Sequence, residues 1–212
     1  MPAKKLPKKI TKKATKGAKP APKAELPVRA FASAAAFERW LAAHHSSSSG
    51  LWVRLMKKAS GVKSVTYHEA LDVALCWGWI DGQVKTFDAD SWVRKFVPRG
   101  ARSMWSKINR EKARALIAAG RMQPSGAAQV ARAEQDGRMH AAYDSPSNAK
   151  PPPDFAAALA ASPRAAAFFE TLKGANRYAV LFRVQAPKKA ETRVRKIREL
   201  VAMLERGETI HG

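Results

Sequence analysis

Apolar positions follow helical spacing over most of this chain and alternate residue by residue only in short runs. After Ser33, which supplies a capping hydroxyl, Phe37, Trp40 and Leu41 recur at helical intervals and predict a helix that "SSSSG" (46–50) breaks. "LWVRLMKK" (51–58) alternates, with Leu51, Val53 and Leu55 on one face of a predicted strand and Trp52, Arg54 and Met56 on the other. Thr66 and Glu69 form a capping box that opens a helix through about Trp77, with Gly78 as its stop. The stripe Tyr67, Ala70, Leu71, Ala74 and Leu75, with Val73, Cys76 and Trp77 beside it, marks this helix as central and buried. Two further strands, 79–87 and 91–97, are joined by "DAD", a connection short enough to predict an antiparallel hairpin.

From Pro98 onward the pattern is helical. Two helices end at Gly120 and Gly137, prolines at 151–153 make a loop, and helices restart at Asp154 and at Ser162-Pro163. Residues 176–185 continue as helix, and Val194, Ile197, Val201 and Leu204 stripe a last one. The fold class is α+β: a small antiparallel sheet with a buried helix, then an all-helical C-terminal half. The expected division is a tail at 1–28, an α+β core at 29–147 and a helical region at 148–212.

Charge changes this picture at the N-terminus. The first 24 residues hold nine lysines, Lys4, Lys5, Lys8, Lys9, Lys12, Lys13, Lys16, Lys19 and Lys23, and no acid. Lys, Ala and Pro in alternation bury too little apolar surface to offset the entropy of ordering, so the segment reads as a disordered basic tail. Two readings fit it: a solubilising extension, or a tail that attracts nucleic acid or another polyanion without reading sequence. In the second, nine phosphate contacts would give a salt slope of about −8. The whole chain carries a formal +22, so the body is basic in its own right. The tail lacks the uninterrupted apolar run of a secretory signal, and no apolar stretch suits a membrane span; a cytoplasmic location is expected. A single Cys, Cys76, excludes an internal disulfide framework and reads as inert core.

Candidate chemistry gathers around "ALCWGWIDG" (74–82) and the segment after the hairpin. Strict alternation puts Trp79, Asp81, Gln83 and Lys85 on one face of the first hairpin strand and Ile80 and Val84 on a core face, while Gly82 marks a bulge or a close approach. With Arg94 on the partner strand between Trp92 and Phe96, Asp81 faces either an ordinary cross-strand ion pair or an aromatic-walled, charge-paired groove. "PRGARSMWSKIN" (98–109) runs into a helix N-terminus, where free N–H groups favour an anion. Arg99, Arg102, Ser103, Ser106 and Lys107 there are candidates for anion binding, or for ordinary capping plus solvated charge. The last helix carries Lys189, Arg193 and Lys196 in one stripe and Arg195 and Arg198 in another, a basic face that tracks phosphates or is simply solvated. Motifs for metal, nucleotide or hydrolase chemistry are missing, so no cofactor or metal is expected, no catalytic residue can be named, and the balance leans away from enzymatic activity.

The ordered segments "LWVRLMKKASG", "TYHEALDVALCWGWIDG", "KFVPRGARSMWSKIN", "GRMQPSG", "DGRMHAAYD" and "APKKAETRVRKI" together resemble the bacterial YdeI/OmpD-associated family, the bacteriocin-protection proteins, from about residue 31 to 207. The resemblance implies a link to survival against antimicrobial peptides and to an outer-membrane porin. The family is sometimes called periplasmic, which the N-terminal sequence here does not suggest. No catalytic residue comes with it. The expectation is a non-enzymatic stress or antimicrobial-tolerance protein that binds a polyanion. The alternatives are a small-molecule enzyme or sensor built on Asp81, Lys85 and Arg94, or an interaction module whose C-terminal helices dock a protein partner.

Overall fold

The computed structural model describes residues 25–146, 148–187 and 189–211. The nine-lysine tail lies outside these residues. The sheet has four strands in the order β1-β2-β4-β3, namely β1 (Val28–Ala30), β2 (Leu51–Met56), β3 (Trp79–Thr86) and β4 (Ser91–Pro98). β2, β4 and β3 pair antiparallel as the alternation predicts; β1, which has no periodicity to announce it, adds a parallel edge to β2. It begins inside the segment expected as tail.

Helix α1 (Ala34–His44) starts at Ser33, whose hydroxyl accepts from the Ala36 amide. Helix α2 (Tyr67–Cys76) starts at a complete capping box, Thr66 and Glu69 each bonding the other's backbone. Both helices cover one face of the sheet. Phe37 and Leu41 from α1, and Ala70, Val73 and Ala74 from α2, close over Leu51, Val53, Leu55, Phe96 and Trp79, all buried. Trp79 is therefore core: it meets Trp40 edge-on at 5.8 Å and donates its indole N–H to the His45 carbonyl.

The C-terminal end of α2 is capped by tertiary contacts. The Cys76, Trp77 and Gly78 carbonyls accept from the Gln123 amide, the Ser125 hydroxyl and the Arg99 amide. Helix α4 (Pro124–Gln135) thus points its electropositive N-terminus at the electronegative end of α2. Contact is backbone on backbone: a Cβ on Gly126 would lie 2.1 Å from the Cys76 carbonyl oxygen, and one on Gly78 2.8 Å from that of Ser125. Cys76 is wholly buried, and burial pushes its thiol pKa up, as suits a packing residue.

Helix α3 (Lys107–Ala118) packs with α2 and α4 around Leu71, Leu75, Trp105 and Leu116. A separate cluster, centred on Phe155, Phe169, Leu181 and Leu204, holds α5 (Pro153–Ala160), α6 (Pro163–Thr171), α7 (Gly174–Gln185) and α8 (Ala190–Glu205) together. The buried stripe of α8 is Ile197, Leu200 and Leu204; Val194, expected in it, is 58 % exposed. The basic residues of α8 are largely paired, Arg193 with Asp154 and both Arg195 and Lys196 with Glu199.

Candidate functional site

The register of the hairpin slips between Asp81 and Val84: Asp81 lies opposite Phe96, and Val84 opposite Arg94. Gly82 sits in this bulge, and the slip undoes strict alternation beyond it. Val84, assigned to the core by alternation, is 55 % exposed. Lys85, expected beside Asp81, lies on the other side of the sheet with its ammonium 4.8 Å over the Trp52 ring. Trp79 and Phe96 are buried in the core instead of walling a groove.

What remains of that groove is its ion pair, in a different setting. Arg94 reaches Asp81 diagonally across the bulge, donating through Nε at 2.9 Å and through Nη2, and Tyr67 donates its phenol to the same carboxylate at 2.9 Å. All three bonds fall on Oδ2; among the described residues Oδ1 accepts none of them. The guanidinium also lies 5.0 Å over the Tyr67 ring.

These residues line a cleft of about 330 Å³. Tyr67, His68 and Leu71 come from α2, Asp81 from β3, Arg94 from β4, and Ile108, Asn109 and Lys112 from α3. Tyr143, Ser145 and Pro146 come from the segment after α4, and Tyr178 from α7. The chain has three tyrosines in all, and every one lines this cleft.

Each wall is tied down. Tyr143 is held by reciprocal backbone bonds to the Trp105 carbonyl and the Lys107 amide, and its ring meets Phe182 of α7 edge-on at 5.3 Å. Tyr178 donates to the Asp144 carbonyl at 3.0 Å, and Lys112 joins α3 to α2 through Asp72 at 2.6 Å. Burial, then the Asp81 charge, pushes the Tyr67 phenol up to about 12; burial likewise takes Tyr178 to about 12 and raises Tyr143. The cleft thus presents neutral phenols around one fixed carboxylate, an arrangement that orients a partner through hydrogen bonds on apolar walls.

The candidate anion residues point in different directions. Ser106 caps α3, accepting from the Asn109 amide, and Lys107 pairs with Asp144. Arg102 is exposed, whereas Arg99 is only 4 % exposed and stacks 3.7 Å over Trp105. Arg99 Nη1 donates to the Met104 carbonyl; Nε and Nη2 find no partner among the described residues. Burial, with the nearby Arg138 charge acting the same way against the opposing pull of Tyr143, lowers its pKa to about 10. Ser103 gives its carbonyl to Arg138. The five residues do not converge on one anion pocket at the start of α3.

The residues missed by sequence reading are Tyr143 and Tyr178, and Tyr67, which was expected only as part of the buried stripe of its helix. Nothing in their local spacing marks them; the one available signal is the scarcity of tyrosine, which makes any shared location notable.

An α+β body whose cleft is closed by a helical C-terminal part is the class that fold and site define. Residues 29–129 match the family described as a domain of unknown function (DUF8412), and residues 148–207 match the family described as Bacteriocin-protection, YdeI or OmpD-Associated. The resemblance to the YdeI/OmpD-associated family is shown over those C-terminal residues. The motifs from "LWVRLMKKASG" to "GRMQPSG" fall within the other match. No curated protein and no solved structure matches the chain. Among the described residues no helix is long and apolar enough to cross a membrane.

Proposed function

We propose that the chain binds a small, partly apolar molecule in the tyrosine-lined cleft, with Asp81 as the acceptor for an N–H or O–H group of the ligand. One observation carries this reading: Arg94 and Tyr67 both bond Oδ2 of Asp81, which fixes the carboxylate while Oδ1 remains for another donor. A pre-positioned acceptor on a largely apolar cleft wall costs little reorganisation on binding. Thermal-shift screening against small hydroxylated and amine-bearing metabolites tests it. A stabilising compound should lose its effect in Asp81→Asn while circular dichroism stays unchanged; a compound that shifts both proteins equally counts against the site.

A second reading rests on charge. Nine lysines in the first 24 residues, within a chain of net charge +22, favour attraction of nucleic acid or another polyanion by the tail. Deleting residues 1–24 should weaken binding to a labelled duplex steeply at low salt, and unchanged binding removes the tail from the account. The biological setting proposed is stress or antimicrobial-peptide tolerance, in keeping with the description of the matched family. The location proposed is the cytoplasm, and the C-terminal helices are proposed as the docking surface for any protein partner.

A further inference from the structure

The sheet has a second face that α1 and α2 do not cover. The pairing places Trp52, Arg54, Met56, Val93, Lys95 and Lys85 on it. None of these belongs to any of the three apolar clusters, and Trp52, Arg54, Met56 and Lys95 are half-buried, Lys85 exposed. Of these six, Val93 alone is buried, although no cluster reaches it, which leaves the long side chains around it as its cover.

Those side chains form a regular pattern. Arg54, Val93 and Lys85 run in one row across β2, β4 and β3; in the next, Trp52 lies opposite Lys95. Lys85 stands over the Trp52 ring, and the Arg54 guanidinium lies 4.8 Å over Phe87, itself 48 % exposed at the end of β3. Arg54 is neutralised by Asp88, but Lys85 and Lys95 have no carboxylate partner among the described residues. Lys57, Lys58 and Lys63, in the loop that follows β2, add positive charge beyond Arg54.

We infer that this face binds single-stranded nucleic acid, with Lys85 and Lys95 on phosphates and Trp52 and Phe87 as platforms for bases. Cations interleaved with aromatic rings on an open sheet match a flexible polyanion that also offers flat apolar rings. A second copy of the chain would bring like charges face to face, and a duplex hides its bases from Trp52. The surface is separate from the cleft around Asp81, which lies on the helix-covered side.

The test is fluorescence anisotropy of a labelled oligothymidylate against the full chain and its Lys85→Glu/Lys95→Glu variant across a salt series, the lysine tail being present in both. The variant should bind about tenfold more weakly, and its log K against log salt slope should fall by about 1.4, the value for two lost phosphate contacts on a single strand. Trp52→Ala should weaken binding by a similar factor and remove quenching of tryptophan fluorescence. Equal affinity and slope for wild type and the lysine variant would overturn the inference. So would a loss in the variant as large on a duplex of the same length, which the tail alone also attracts, as on oligothymidylate, or capture of anionic lipid vesicles with no oligothymidylate bound.

Discussion

Arg94 meets Asp81 across a bulge: the carboxylate belongs to the residue opposite Phe96, and the guanidinium arrives from two positions along the strand. The pair is therefore set by the bulge at Gly82 as much as by either charged residue, and it is mostly shielded from solvent, with side chains 24 % and 10 % exposed. Asp81→Asn keeps the shape and removes the charge, leaving Arg94 without its counterion. The expected cost is about 2 kcal/mol in urea unfolding, and a loss under a few tenths would mean that solvent already satisfies Arg94.

The raised phenols give a pH dependence with a definite sign. A folded-state pKa near 12 for Tyr67 and Tyr178, against 10.0 for a free phenol, means that folding favours the neutral form. Their contribution is fully present below pH 10 and is lost as pH climbs from 10 through 12. Tyrosinate absorbance should lag that of the denatured chain, and since all three tyrosines line the cleft, the lag reports on that site alone. Tyr67→Phe should shrink it.

The junction of α2 with α4 has no room for a side chain. Gly126→Ala forces a methyl into the Cys76 carbonyl and to within 2.5 Å of the Met122 sulfur. Overpacking of this kind costs about 3 kcal/mol, visible as a lowered denaturation midpoint. Gly120→Ala is the useful contrast: open space surrounds that position, so strain at its φ of +66° is the only source of loss, and a smaller effect is expected.

Arg193 joins three helices. It holds Asp154 of α5 through two bonds and donates to the Val184 carbonyl of α7, while itself lying on α8. Arg193→Met should cost about 1.5 kcal/mol. The Arg193 hydrogen bond also holds the Asp154 carboxyl below its ordinary range, so its contribution is present above pH 4 and fades as pH falls below that. The variant should show a weaker loss of stability on acidification than the parent.

Elements fixed by neighbouring residues were legible in the sequence. The capping box at Thr66, the Ser33 cap and the β3–β4 hairpin depend on groups a few residues apart, and all three stand in the structure. The faces of β3 were not: Trp79, and not Ile80, faces the core, and beyond Asp81 one bulge reverses the alternation on which face assignment rests, with Gly82 alone hinting at it. Arg99 was visible as a cation but its direction was not: stacking on Trp105 and a bond to the Met104 carbonyl turn it inward. The cleft itself depends on contacts between distant segments, the Trp105–Tyr143–Lys107 bonds and the Tyr178 bond to Asp144, which local pattern does not encode.

The tyrosines come from both sides of the boundary between the two family matches, Tyr67 from one and Tyr178 from the other. Whatever occupies the cleft touches both parts at once, so its binding energy is shared between ligand recognition and the docking of α7 onto the sheet-bearing body. A molecule seated there acts as a tether. A chain nicked in the connector at 149–152, before α5, should stay associated in its presence and fall apart faster without it.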